Sequence, residues 1–389
     1  MATLTGLDAL ARNDFAALRG KSLAVVCNQA SIANDFSHIL ELLLPLHRSG
    51  FLTITKVFGP QHGLFGHTQD NMIEWEGTMD ARIGLRIYSL YGEHREPSGQ
   101  MLRDVDLLLI DLPDVGSRYY TFIWTMAGCL RKCAELGIPA TVLDRPNPIG
   151  GQVEGTVLDP GFASFVGLHP LPMRHAMTVG EVATYLRQNF LPSLELEVVP
   201  MTGWSRSDYF DDTGLPWAMP SPNMPTVDTA VIYPGGCLLE GTNLSEGRGT
   251  TRPFETFGAP WLDGWKLASS LNALGLKGCH FRPIQFQPTF QKHAGQLCEG
   301  AFLHVTDRST FEPVITYVAI MQQAIQQGRF EWKQPPYEYE TVKLPIDILS
   351  GNSWLRGAIE GQEPLTSIRE RFIEECSIFE SKRQAALLY

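Results

Sequence analysis

With 389 residues, 44% of them apolar, the chain is long enough for two or three domains with sizeable cores. Its formal charge of −11, with no basic cluster as a local exception, excludes nucleic acid or an anionic membrane as the main partner. The seven cysteines are odd in number, widely spread and without a CxxC pair, which is the usage of a reducing compartment rather than of a disulfide scaffold.

The opening residues, MATLTGLDALARNDF, lack the basic start and apolar run of a signal peptide. No run of about 18 apolar residues is present to span a bilayer, so a cytoplasmic protein is expected. Ser22–Cys27 (SLAVVC) reads as a buried strand, and Phe36–Arg48 follows with helical spacing at Ile39, Leu42, Leu43 and Leu46. Leu52–Phe58 and Ile87–Leu90 are further strands. Val105–Asp111 (VDLLLID) is the clearest strand, nearly continuous in aliphatic residues, as a parallel strand covered on both faces should be. In Tyr119–Leu136 the stripe Phe122, Met126, Cys129, Leu130, Cys133 and Leu136 predicts a helix that Gly137 stops, and Pro139–Asp144 gives the next strand. Thr178 to Glu181 is a capping box opening a helix to about Phe190, ahead of a strand at Leu194–Val199. This alternation predicts an α/β fold with a doubly wound, Rossmann-like parallel sheet.

The Pro-rich passage Leu215–Pro225 (LPWAMPSPNMP) forbids helix and reads as a semi-rigid connector, which divides the chain into domains 1–226 and 227–389. Beyond it, a helix near Leu262–Leu274, strands near Phe281–Phe286 and Ala301–Thr306, and helices at Glu312–Gln326 and Pro364–Gln384 predict a smaller α/β unit. Between these lies Tyr233–Trp261, YPGGCLLEGTNLSEGRGTTRPFETFGAPW, with neither helical nor strand periodicity. It gathers Glu240, Asn243, Glu246, Arg248, Arg252 and Glu255 among glycines. It reads as a functional surface loop, because Glu and Arg together handle protons and bind an anion.

Functional residues of such sheets lie past the carboxyl ends of the strands. The loops there are polar: Asn28-Gln29, Gly59–Gly66, Asp111–Arg118 and Asp144–Gly151. In FGPQHGLFGH, Gln61 and His62 suit substrate hydrogen bonding; the spacing of His62 and His67 matches no helical ligand pair, so no metal is expected. Glu74-Trp75-Glu76 has the make-up of a sugar site, or equally of an exposed acidic turn. Asp114 and Arg118 follow the best strand, and Arg145 with Asn147 sits on a turn stiffened by two prolines; capping and scaffolding are their alternative roles. There is no GxGxxG fingerprint, no Walker A loop and no GxSxG elbow, which excludes the usual dehydrogenase, NTPase and esterase readings.

FGPQHGLFG, SLYGE, DLPDVGSRYYTFIW, LDRPNPIGG, LPMRHAMTVGE, PSPNMPT, EGTNLSEGRGTTRPFETFGAPW and FQPTFQKHAG together resemble the exo-β-N-acetylmuramidases of the NamZ type, formerly a family of unknown function. The resemblance runs from about Gly20 to beyond Ala294. It implies a Rossmann-like N-terminal domain, a smaller C-terminal α/β domain, an active-site cleft between them, and release of terminal β-linked N-acetylmuramic acid from peptidoglycan fragments. That chemistry needs carboxyl groups and no cofactor. One position departs from the family: many members carry Glu where this chain has Gln61, and an amide cannot donate a proton as an acid. The expected catalytic carboxyls are therefore Glu246, as general acid or nucleophile, with Glu74 or Glu76 as partner. Gln61, His62, Asp114, Arg118, Arg145, Asn223, Glu240, Asn243, Arg248 and Arg252 are the expected contacts to a small-molecule amino-sugar substrate, with an arginine, Arg248 first, answering the lactyl carboxylate. A sugar-binding protein without activity, or a hydrolase of another amino sugar, are the alternatives.

Overall fold

The computed structural model describes residues 3–70 and 72–389. Among these the strands are, in chain order, β1 (Ser22–Cys27), β2 (Thr53–Gly59), β3 (Met79–Asp80), β4 (Leu85–Ser89), β5 (Leu107–Asp111), β6 (Ala140–Leu143), β7 (Glu154–Val157), β8 (Pro172–Arg174), β9 (Leu196–Val199), β10 (Thr256–Ala259), β11 (Cys279–Phe286) and β12 (Cys298–Val305). Seven of them form one sheet in the order β3-β4-β2-β1-β5-β6-β9, parallel throughout except for the β3–β4 pair. Counting only the parallel strands along the chain, the order is that of the Rossmann fold, with the switch point between β1 and β5.

Alternation along the central strands explains the layering. Leu23, Val25 and Cys27 of β1 join a core with Leu107, Leu109 and the helix Ile39–Arg48 on one face. Ala24 and Val26 join Leu108, Ile110 and the helix Phe122–Leu136 on the other. This second core continues without a break into the C-terminal half, through Phe257, Tyr317, Ile346 and Phe372. There an antiparallel sheet, β10-β12-β11, packs with the helices Gly264–Ala273 and Pro313–Ile325. The β7–β8 hairpin reaches across to the C-terminal helix Leu365–Arg383, where Cys376 Sγ lies 3.2 Å from the Gly155 carbonyl. The chain is thus an α/β protein with a Rossmann-like sheet and a smaller α/β unit. No helix among the described residues is long and apolar enough to cross a membrane.

Most predicted elements are present with shifted ends, and where an end is trimmed the cause is local. The helix expected from Phe36 starts at Ile39 because His38 and Glu41 form a reciprocal cap. The helix after β5 closes on Gly137 at φ 66°, and Thr178 with Glu181 opens the next one as expected. The stretch Tyr233–Trp261 differs from expectation. It is largely buried rather than a surface loop, and it contains the end of the helix Val227–Gly236, a 3₁₀ turn at Cys237–Gly241 and strand β10. Its small residues hid the periodicity because they serve close approach: a Cβ on Gly235 would lie 2.0 Å from the Pro313 carbonyl oxygen. The short helix Gly6–Arg12 and the β7–β8 hairpin were not foreseen; the former is marked only by a Thr5–Asp8 cap.

Candidate active site

The Rossmann switch point is covered by the chain itself. Asn28 Nδ2 donates to the Pro220 carbonyl at 3.0 Å, and Gln29 Nε2 donates to the Met219 and Pro220 carbonyls, both at 2.9 Å. The prolines hold this segment extended, with its carbonyls available as acceptors. Arg145 at the end of β6 spans to Asp111 at the end of β5 (2.5 and 2.8 Å) and to the Ile32 carbonyl. Asp114 Oδ2 accepts from the Gly116 amide at 2.9 Å and lies 3.1 Å from His175 Nε2. These residues brace strand ends.

The polar cavity lies off the carboxyl ends of β2 and β5, and the C-terminal half forms its remaining walls. It encloses about 470 Å³ of empty space, open mouth included. From the sheet side come Gln61 and His62 and the turn Tyr119–Phe122; Ser221 and Asn223 come from the Pro-rich segment, and Tyr233, Glu240, Arg248, Phe254, Tyr337 and Glu338 from the rest. Gln61 Oε1 accepts from Thr121 Oγ1 at 2.7 Å. His62 sits at φ 71° with Nδ1 2.8 Å from the Thr68 carbonyl. Burial drives its pKa down to about 4, so the ring is neutral at pH 7. A carbonyl only accepts, hence Nδ1 carries the proton and Nε2 is an acceptor. Asn223 is clamped to Gln69, donating to its carbonyl at 2.8 Å and accepting from its amide at 3.3 Å.

Four charges alternate through the deep wall. Arg248 Nη2 lies 2.8 Å from Glu240 Oε1 and its Nη1 3.3 Å from Glu246 Oε1; Glu246 Oε2 lies 2.8 Å from Lys292 Nζ. Tyr337 donates to Glu240 Oε2 at 2.8 Å. Burial works against the ionised Glu246, but Lys292 and Arg248 outweigh it and hold the carboxyl below its usual range. Glu338 accepts from Tyr91 Oη at 3.0 Å. Burial pushes its pKa up to about 7, with Glu240 acting in the same sense and the Tyr91 hydrogen bond, Arg248 and Arg95 opposing.

Of the residues singled out in the sequence, the cavity brings together Gln61, His62, Asn223, Glu240 and Arg248. Glu246 is not among its lining residues and stands behind Arg248. Glu74 and Glu76 are exposed on a separate groove with Arg86, Tyr88 and His94. Arg118 is fully buried and donates to the Thr156, Leu171 and Leu349 carbonyls (2.7, 2.7 and 2.6 Å), a strut between the two halves. Arg252 pairs with Glu255 at 3.2 Å, and Asn243 donates to the Arg329 carbonyl. Sequence reasoning missed the turn Tyr119–Thr121 as cavity wall, and Ser221, Tyr233, Tyr337 and Glu338. The one available signal for the last two was the run PPYEYE, in which acids alternate with aromatics behind two prolines. No group of three or more His, Cys, Asp or Glu among the described residues is placed to hold a metal.

Comparison with known proteins agrees across the whole chain. Residues 23–228 match the model of the N-terminal part of the exo-β-N-acetylmuramidase NamZ, and residues 231–389 match that of its C-terminal part. The peptidoglycan β-N-acetylmuramidase NamZ of Bacillus subtilis (strain 168) is 41% identical over 387 residues, covering 99% of this chain and 91% of that protein. Two crystal structures of DUF1343 family proteins from Bacteroides fragilis NCTC 9343 superpose with TM-scores of 0.87 and 0.77, at 30% and 27% identity. Each comparison covers 100% of this chain and 99% of the other. The fold, the motifs on its strand-end loops and these likenesses coincide: the chain belongs to the exo-β-N-acetylmuramidase NamZ family.

Proposed function

We propose that this protein is a glycosidase that releases terminal β-linked N-acetylmuramic acid from the non-reducing ends of peptidoglycan fragments. The observation that carries the reading is one cavity lined by two carboxyl groups, Glu240 held by Arg248 and Tyr337 and Glu338 held by Tyr91. Glycoside hydrolysis asks for a pair of carboxyl groups, one as acid and one as base or nucleophile. The amide of Gln61 and the acceptor Nε2 of His62 suit the hydroxyl and acetamido groups of an amino sugar. Arg248, the cation in the cavity lining, suits the lactyl carboxylate of muramic acid.

The seven cysteines are all free thiols, which supports action in the cytoplasm on imported fragments, as part of wall recycling. The division into domains 1–226 and 227–389 belongs to the same reading, with the cavity between them. A chromogenic β-N-acetylmuramide tests it: release of the chromophore is expected, and no release from about pH 4 to about pH 9 sinks it. Gln61 favours one alternative, a sugar-binding protein silenced by loss of a carboxylate. In that case Gln61→Glu would create turnover from an inert parent.

A further inference from the structure

We propose that Glu338 is the acid that protonates the departing glycosidic oxygen, in place of the carboxyl that many relatives carry at the position of Gln61. The inference rests on the glycosidase reading above and assigns a residue to it. Two carboxyl side chains line the cavity, and their hydrogen bonding differs. Glu240 has Oε1 on Arg248 and Oε2 accepting from Tyr337, so both oxygens act as acceptors, as those of a carboxylate do. Glu338 is anchored at Oε2 by Tyr91, and that is its one side-chain hydrogen bond among the described residues. Oε1 is left to carry a proton toward a ligand.

The backbone supports the same assignment. Glu338 and Tyr339 hold φ of 43° and 70°, the left-handed region that non-glycine residues avoid. Such conformations persist where the surroundings over-determine them, and they gather at functional sites. Here the surroundings are reciprocal backbone hydrogen bonds between Tyr337 and Glu340, both 2.9 Å, together with Tyr337 on Glu240 and Tyr339 Oη on Glu74 Oε1 at 2.9 Å. The chain is thus bent to deliver one carboxyl into the cavity. The charged and titratable groups facing that carboxyl are Tyr91 and Arg95 from the segment after β4, and Glu240 and Arg248 from the C-terminal half. Their balance and the burial leave Glu338 protonated up to about pH 7.

In the step, the bond from the anomeric carbon to the glycosidic oxygen breaks, its electron pair stays on that oxygen, and the oxygen takes the Glu338 proton. Water supplies the new oxygen at the anomeric carbon and gives one proton back to the carboxyl pair, which restores its charge.

The test compares two substrates that differ in their need for an acid. These are the β-linked N-acetylmuramic acid–N-acetylglucosamine disaccharide and the 4-nitrophenyl β-N-acetylmuramide, whose leaving group departs as a stable anion. Glu338→Gln is expected to lower kcat/KM on the disaccharide by about 10²- to 10⁴-fold and on the nitrophenyl glycoside by less than about 10-fold. Equal losses on both substrates, or no loss on the disaccharide, overturn the assignment. Tyr91→Phe gives a second reading should Glu338→Gln not fold. Removing a hydrogen bond that favours the ionised form moves the alkaline limb of the disaccharide pH profile to higher pH, whereas an unmoved limb overturns the proposal. Wild-type protein inert on both substrates sinks the glycosidase reading itself, and this assignment with it.

Discussion

Glu246, in the glycine-rich stretch, and Glu338, on the Tyr337–Glu340 turn, are almost equally withdrawn from water, at 1% and 5% exposure. Their carboxyls are pushed in opposite directions. Glu246 lies between two cations, Arg248 and Lys292, and the attraction outweighs burial. Glu338 has one phenolic hydrogen bond, with Glu240 among the groups that face it, so burial prevails. Burial alone therefore does not make an acid; the nearest charges decide which buried carboxyl keeps its proton. The region richest in chemistry by composition becomes the electrostatic frame, and a plainer turn carries the carboxyl whose pKa burial raises.

The comparison breaks first at Arg248, which both Glu240 and Glu246 share. Arg248→Met leaves two buried carboxylates short of a cation and is expected to cost about 3–5 kcal/mol by denaturant unfolding. A loss under about 1 kcal/mol would mean that the network is solvated in solution.

The pH dependence of stability separates the two glutamates. Glu338 binds its proton more tightly folded than unfolded, so its contribution falls as pH rises from about 4.5 to about 7. Glu246, held low, contributes above the unfolded glutamate range and loses that contribution as pH falls through its folded value. Glu154 is also raised to about 7 by burial and slopes the same way as Glu338, so the informative quantity is the difference between wild type and variant. Glu338→Gln should flatten the decline between pH 5 and 7, and Glu246→Gln should soften the acid-side loss. Melting curves across pH in which both variants change the same limb would contradict the contrast.

At fixed neutral pH, Glu246→Gln should cost about 1–3 kcal/mol, less than Arg248→Met, because Lys292 still donates to the Leu239 and Thr242 carbonyls. A fall in kcat as deep as that of Glu338→Gln would return Glu246 to the centre of the chemistry. The smallest effect is expected where half-exposed Arg252 meets buried Glu255, which Thr229 also holds: Arg252→Ala should change stability by no more than about 1 kcal/mol, and less at high salt.

Much of the architecture was legible in the residues. The aliphatic run ending at Asp111, the glycine stop at 137 and the Thr178 cap are local signals, because strands and helices satisfy their backbone groups within a few residues and bury one repeating face. The loops after β2 and β5 were marked as the functional edge by topology, and Gln61 and His62 do line the cavity. Arginines on those same edges were not separable by sequence. Arg118 and Arg145 look like ligand-binding residues in a string of letters, and only packing reveals that the Nη groups of Arg118 donate to carbonyls and that Arg145 donates to Asp111.

The sequence by itself determined the alternation of elements, the family and the kinds of side chain available, since each of these depends on residues close together along the chain. Tertiary structure alone decided which carboxyls share a cavity and which groups stand beside each of them. Glu240 and Glu338 come from distant parts of the chain, and Tyr91, which anchors Glu338, comes from a third. A carboxyl's proton affinity is set by desolvation and by charges a few ångströms away, quantities that exist only after the chain has folded.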